Sequence, residues 1–307
     1  MTVNIKPRGV IVPLVTPVTQ TGELDVEALH RLIDLQIGAG THGIFLLGTT
    51  GEGPSVPEWM QRRVISEAIS TIQGRVPVYV GVFGNSLDTV VASANHAFEM
   101  GVDAVVLTAP NYYPLTVQEL RNWFNRTINR IYGPVLLYNI PATTHCSIPL
   151  EIVEEFAAYP SVIGLKDSEN DLTRLKTLLE RFGGSDQFAI LVGVGALMYE
   201  GMTRGASGIV PSVGNIIPRV CVEFYEACIA GRFNRARELF GVLNAAAATY
   251  QKGRPLGQSL AALKAILASN EWCQRWTLPP ILPLDNAESE KVVAEFRTVV
   301  LGTQVGT

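Results

Sequence analysis

Val135-Leu136-Leu137-Tyr138, Leu150 to Ala158 and Val162-Ile163-Gly164-Leu165-Lys166 decide the fold. The two outer runs are short and apolar, and each reads as a buried β-strand. The middle one has helical period. Strand, helix, strand is one βα crossover, which brings the two strands side by side and parallel. The same alternation extends in both directions. Strands are expected at Val10–Val15, Gly43–Leu47, Val78–Val82, Ala104–Leu107, Phe188–Val192 and Gly208–Val210. Helices are expected at Val26–Ile37, Val56–Ile72, Leu87–Met100, Val117–Ile131, Thr173–Arg181 and Ala196–Thr203. Strand starts recur every roughly 20 to 35 residues, one βα unit each. Eight units fit a closed α/β architecture, a (β/α)8 TIM barrel, better than an open doubly wound sheet.

Helix-end signals support the parsing. Ser55-Val56-Pro57-Glu58 and Thr116-Val117-Gln118-Glu119 have capping-box form. Gly38, Gly101 and Gly183 stand where left-handed C-terminal residues are expected. After Gly231 the strand signals stop. Arg232–Tyr250, Leu260–Ser269 and Ala287–Val300 read as helices, broken at Gly253–Gly257 and at Pro279-Pro280…Pro283. The expected organisation is a catalytic barrel over residues 1–230 and a C-terminal helical segment over 231–307.

Composition narrows the function. The chain has 307 residues, 47% hydrophobic and 17% charged, which suits a large α/β core. Net charge is -4 and no basic stripe appears, which argues against nucleic acid as a partner. No apolar run approaches a membrane span, and Met1 to Gly9 lacks a signal-peptide core. A cytoplasmic protein with no membrane partner is expected. The four cysteines form no CxxC pair and the four histidines show no HExxH or HxH spacing, so no metal is expected.

Chemistry in such a barrel belongs to the C-terminal strand ends and the loops after them. Lys166 ends an apolar strand, where an ammonium is costly to desolvate. A lysine of lowered pKa can form a Schiff base with a ketone. By itself, Lys166 reads at least as well as a strand end snorkelling to solvent. Tyr138 ends the neighbouring strand, about 4.8 Å away, so the two polar tips can meet. Gly48-Thr49-Thr50-Gly51-Glu52-Gly53 follows the second strand; its hydroxyls and N–H groups can hold a carboxylate or a phosphate. Tyr112 and Tyr113, in Pro110-Asn111-Tyr112-Tyr113-Pro114, can line a site or a subunit contact. Together these residues suit covalent chemistry on a small 2-oxo acid: clamp, nucleophile and proton carrier. A 2-oxo-acid sensor without catalysis, or a phosphate-binding isomerase using Gly193-Val194-Gly195 and Pro211-Ser212-Val213-Gly214, are the competing readings.

At these residues the sequence resembles the dihydrodipicolinate synthase / N-acetylneuraminate lyase family. Similarity runs from Gly9-Val10-Ile11-Val12-Pro13 to Pro279-Pro280-Ile281-Leu282-Pro283. It includes Gly48-Thr49-Thr50-Gly51-Glu52, Tyr138-Asn139-Ile140-Pro141 and Gly164-Leu165-Lys166-Asp167-Ser168. The resemblance implies a barrel with a helical extension, a homotetramer or dimer of dimers, and class I aldolase chemistry through a pyruvate Schiff base without a cofactor. It implies Lys166 as Schiff-base lysine, Tyr138 as catalytic tyrosine, and Thr49 and Tyr112 as the rest of a proton relay. Tyr112 would reach a neighbouring subunit's site. Thr50, flanked by Gly48 and Gly51, matches the carboxylate clamp, and Val210 a pocket-lining main chain.

Thr143 departs from the lysine-pathway synthases, which carry an arginine there for the second substrate's carboxylate. Glu58, Gln61 and Asn111 also differ from the residues of their lysine-inhibition site. The expected reaction is therefore cleavage or formation of a 2-oxo-3-deoxy sugar acid, giving pyruvate and an aldehyde. Dihydrodipicolinate synthesis, N-acetylneuraminate cleavage, 4-hydroxy-2-oxoglutarate cleavage and a dehydratase-type reaction are the alternatives within the family.

Overall fold

The computed structural model describes residues 6–302. Residues 1–5, part of the stretch read for a signal peptide, and residues 303–307 of the C-terminal segment lie outside the described residues. Eight parallel strands close into a barrel in chain order: β1 Gly9–Pro13, β2 Gly43–Leu46, β3 Val78–Val82, β4 Ala104–Thr108, β5 Val135–Asn139, β6 Val162–Asp167, β7 Ala189–Val192 and β8 Gly208–Ile209. Around them run α1 Val26–Gly38, α2 Glu58–Ile72, α3 Leu87–Glu99, α4 Val117–Ile128, α5 Pro141–Thr144, α6 Leu150–Ala157, α7 Leu172–Phe182, α8 Met198–Thr203 and α9 Pro218–Ile229. Three more helices follow: α10 Phe233–Gln251, α11 Leu256–Ser269 and α12 Asn286–Gly302. This is a (β/α)8 TIM barrel with a C-terminal helical extension.

Alternation along the strands sorts residues into two cores. Ile11, Phe45, Tyr79, Val106, Leu136, Tyr138, Ile163 and Leu191 fill the barrel interior. Val10, Ile44, Val105, Leu137, Leu165 and Ile190 face outward and pack under the helices. In β6, Leu165 is therefore committed to the outer core, and Lys166 turns inward beside Tyr138.

The strand expectations hold, with ends shifted by one or two residues. The helix differences have local causes. Ser55 does not cap α2: its N–H closes a 3₁₀ turn on Glu52 O (2.7 Å), and the helix starts after Pro57. Thr116 does cap α4, in a complete box with Glu119. The left-handed residues after α1 and α7 are Gly40 and Gly184, not Gly38 and Gly183; Gly101 is left-handed as expected. Helix α11 starts at Leu256 behind Pro255, so Gly257 lies in its first turn and breaks nothing. The sequence reading passed over α9. Its signal was Pro218 at the first helical position, with Val220, Cys221, Phe224, Ala227 and Cys228 buried along one side.

The C-terminal helices are attached to the top of the barrel as well as its side. Helix α10 packs on α9 and α12, and α11 on α10 and α12. Beyond α11 the chain returns to the β1–α1 loop, where Trp276 bridges Val18.

Candidate active site

Parallel pairing sets Tyr138 directly beside Lys166, and Asn139 beside Asp167. The Lys166 Nζ lies 3.8 Å from the centre of the Tyr138 ring and 4.9 Å from that of Phe45. Lys166 is 4% exposed and Tyr138 2%. Burial lowers the lysine's pKa below its ordinary value, while the Tyr138 phenol beside it pulls it back up. Among the described residues no carboxylate is ion-paired with Lys166. The nearest in sequence, that of Asp167, belongs to another network. It accepts from Arg174 Nε (2.8 Å), Asn139 Nδ2 (3.1 Å) and the Glu169 N–H (3.0 Å). Asp171 caps α7 and so presents Arg174 in its first turn. This network ties the ends of β5 and β6 together from behind.

Space around the lysine comes from Gly193, at the end of β7. A Cβ there would lie 3.1 Å from Lys166 Cε and 2.0 Å from Ser168 Oγ. Gly193, which the isomerase reading assigns to a phosphate loop, is the wall that gives the Lys166 side chain room.

Tyr138 OH is hydrogen-bonded to Thr49 Oγ1 (3.2 Å). Thr49 stands in the Gly48–Gly53 turn, whose backbone is tightly determined. Leu47 and Glu52 both have φ of 54°, the left-handed region. The turn is closed by Glu52 N–H on Thr49 O (3.1 Å) and Gly53 N–H on Gly48 O (3.0 Å). Thr16 Oγ1 donates to Gly51 O (2.6 Å). Gly53 has no room for a side chain, since a Cβ would fall 1.9 Å from Leu47 O. Thr50 is buried in this turn.

Thr49 also lines a cavity of about 290 Å³ with Phe83, Asn85, Thr108, Asn111, Thr143 and Thr144. Thr143 donates to Ile140 O (3.3 Å), which leaves its lone pairs free to accept. No residue lining the cavity carries a charge. Val210 is buried against the barrel interior, its N–H on Val192 O (2.9 Å).

The structure thus brings Lys166, Tyr138, Thr49, Thr50, Gly48, Gly51, Thr143 and Val210 to one barrel mouth. It does not bring Tyr112 there. That side chain is 74% exposed and packs edge-on against Tyr113. Asn85 Oδ1 holds its loop by accepting from the Asn111 and Tyr112 N–H groups. Sequence reasoning missed Phe45, Asn85, Thr108 and the Asp167 network. Phe45 was hidden as one apolar residue among four, while Arg174 in a helix's first turn, seven residues past Asp167, was a usable signal.

A family profile described as the dihydrodipicolinate synthetase family matches residues 6–298. The chain belongs to that family. A 4-hydroxy-tetrahydrodipicolinate synthase of Phenylobacterium zucineum is 31% identical over 291 residues, 94% of this chain and 96% of its own. One from Protochlamydia amoebophila is 32% identical over 244 residues, 78% of this chain and 81% of its own. Among solved structures, dihydrodipicolinate synthase of Bacteroides thetaiotaomicron superimposes with a TM-score of 0.91 at 30% identity, covering 96% of this chain and 99% of its own. YagE, a prophage protein of the same family from E. coli K12 solved with pyruvate, gives 0.90 at 26% identity, with 96% and 99% covered.

As a member of the dihydrodipicolinate synthetase family, this chain is a pyruvate-dependent lyase of the class I aldolase type. Among the described residues no group of three or more His, Cys, Asp and Glu is arranged to hold a metal ion. No described helix is long and apolar enough to cross a membrane.

Proposed function

We propose that this enzyme cleaves or forms a 2-oxo-3-deoxy sugar acid through a pyruvate Schiff base on Lys166. The observation that carries the choice of substrate is the cavity lining: its polar side chains are four threonines and two asparagines, set among apolar residues such as Phe83 and Ile140, with no cation. Hydroxyl and amide groups suit the hydroxyls of a sugar-derived aldehyde. A second carboxylate would be buried there without a charged partner, which is unfavourable.

In the cleavage direction, the neutral Lys166 amine attacks the substrate's C2 carbonyl. Loss of water leaves an iminium ion. Tyr138 gives the proton with which the C2 hydroxyl leaves as water, and the phenolate so formed, with Thr49 as its hydrogen-bond partner, takes the proton from the C4 hydroxyl. The C3–C4 bond breaks, its electrons pass into the iminium, and the aldehyde leaves. The resulting enamine is protonated at C3, and hydrolysis returns pyruvate and free Lys166. The covalent iminium is itself the electron sink, so the cycle needs no cofactor. Thr50 and the Gly48–Gly51 backbone hold the 2-oxo acid's carboxylate, and the Val210 main chain lines the pocket. Tyr112 completes the relay from a neighbouring protomer of a homotetramer, and sedimentation of the purified protein tests that assembly. In this reading the reacting groups fall within residues 1–230, residues 231–307 support them, and the enzyme works in the cytoplasm.

A synthase reading has the relatives' names in its favour. It differs in the partner, aspartate semialdehyde, whose carboxylate would meet Thr143. Borohydride reduction with pyruvate should attach three carbons to Lys166, and an unmodified Lys166 would sink the mechanism. A pyruvate-release screen across 2-oxo-3-deoxy acids, 4-hydroxy-2-oxoglutarate and sialic acid then identifies the substrate. Condensation with aspartate semialdehyde at a rate comparable to the best aldol substrate would establish the synthase instead. Thr143→Arg should reduce sugar-acid turnover by at least about tenfold, the scale of one misplaced substrate contact. Unchanged kinetics would mean that Thr143 does not meet the substrate.

A further inference from the structure

Glu52 and Lys264 form a buried ion pair that joins the Gly48–Gly53 turn to helix α11. Their side chains are 0% and 1% exposed. Both members of the pair are also hydrogen-bonded to one short segment. Glu52 Oε2 accepts from the Leu278 N–H (2.7 Å), and Lys264 Nζ donates to Trp276 O (2.8 Å). Lys264 is the lone charge in an otherwise apolar run, Leu260-Ala261-Ala262-Leu263-Lys264-Ala265-Ile266-Leu267. Burying two charges is expensive, and an apolar pair of the same volume is often as stable. Stability therefore does not account for the pair, but geometry does. Glu52 is held in the left-handed region at φ 54°, which residues other than glycine adopt uncommonly.

From Glu52 the constraint reaches the reacting groups in three contacts. The Glu52 N–H bonds Thr49 O, Thr49 Oγ1 bonds Tyr138 OH, and the Tyr138 ring lies against Lys166 Nζ. Thr50, the proposed carboxylate clamp, lies inside the same turn. A shift of Glu52 therefore moves the clamp and the relay together.

We infer that the Glu52–Lys264 ion pair is a positioning device. It fixes the Thr49-Thr50 turn from helix α11, so that the C-terminal helices set how tightly the enzyme takes its 2-oxo acid. This rests on the pyruvate half of the function proposed above and not on the identity of the aldehyde. Neither residue touches the reacting atoms.

The test compares the parent with Lys264→Met, Glu52→Gln and the double variant, using pyruvate and borohydride trapping at Lys166. Each single variant leaves a lone buried charge and can fail to fold; the double variant does not, and it keeps an acceptor for the Leu278 N–H. Thermal unfolding is recorded alongside. The expected result is a double variant with near-parent unfolding whose half-saturating pyruvate concentration is raised at least tenfold. The pH at which trapping half-develops should not move, because Lys166 keeps its surroundings. A folded double variant with parental pyruvate saturation would overturn the inference and leave the pair a packing element. If the parent itself is not trapped by pyruvate, it is the proposed function that fails.

Discussion

An amine as deeply buried as that of Lys166 is driven to shed its proton. Its pKa in the folded chain is lowered from the ordinary 10.5, chiefly by desolvation. Between that lowered value and 10.5 the unfolded chain binds the extra proton, so stability rises with pH across the window. The burden of the charge is full below the folded pKa and gone above 10.5. Lys166→Met should therefore be more stable than the parent. Denaturant titrations should show the gain largest at low pH and shrinking as pH rises through the window; a gain that grows with pH would contradict a lowered pKa. Pyruvate trapping in the parent should rise with pH about a midpoint below that of a surface lysine. Gly193→Ala tests the space around the same side chain. Its new Cβ meets both Lys166 Cε and Ser168 Oγ. Displacement of this kind should slow trapping by about ten- to a hundredfold with the fold intact. A parental trapping rate would show that the lysine can move aside freely.

Elements were legible where one residue forces an outcome. Thr116 with Glu119 and the apolar alternation of β5 and β6 carry their structure locally. Thr116→Ala should lower stability by about 1 kcal/mol, read from chemical denaturation, because the Glu119 N–H at the start of α4 loses its partner and the Glu119 carboxylate loses the Thr116 hydroxyl. Ser55, with the same spacing to Glu58, misled because Gly53-Pro54 closes a 3₁₀ turn first. The cap signal is conditional on the backbone being free to use it. Lys166, Tyr138 and Thr49 could be read as a site because they end neighbouring or nearby strands, whose spacing a barrel fixes. Asp167 with Arg174, and Glu52 with Lys264, were not read. The first pair depends on the start of α7, and the second joins elements far apart in the chain. Lys264 did leave a trace, a single charge among apolar residues in a helix, much as Lys166 ends an apolar strand. Tyr112 could be read as an interaction residue, but one chain alone leaves it in solvent.

At the scale of the whole molecule, the barrel and the helices after it meet in apolar packing along α9 and α10, where Arg235 and Glu223 are also ion-paired, and in the buried Glu52–Lys264 contact at the top. Removing one member of that contact should be costly. Lys264→Met should lose about 3–5 kcal/mol of unfolding free energy, and the double variant with Glu52→Gln should recover most of it. Losses that simply add would mean the two side chains do not act as a pair. The contact also bears on inheritance. A chimera that takes its first strands from one relative and its final helices from another splits Glu52 from Lys264. Unless both parents place an acid and a base at these two positions, the hybrid inherits a lone charge beneath the Gly48–Gly53 turn. For this protein, viable recombination is thus restricted by two residues that lie on opposite sides of every crossover point between them, the greater part of the chain.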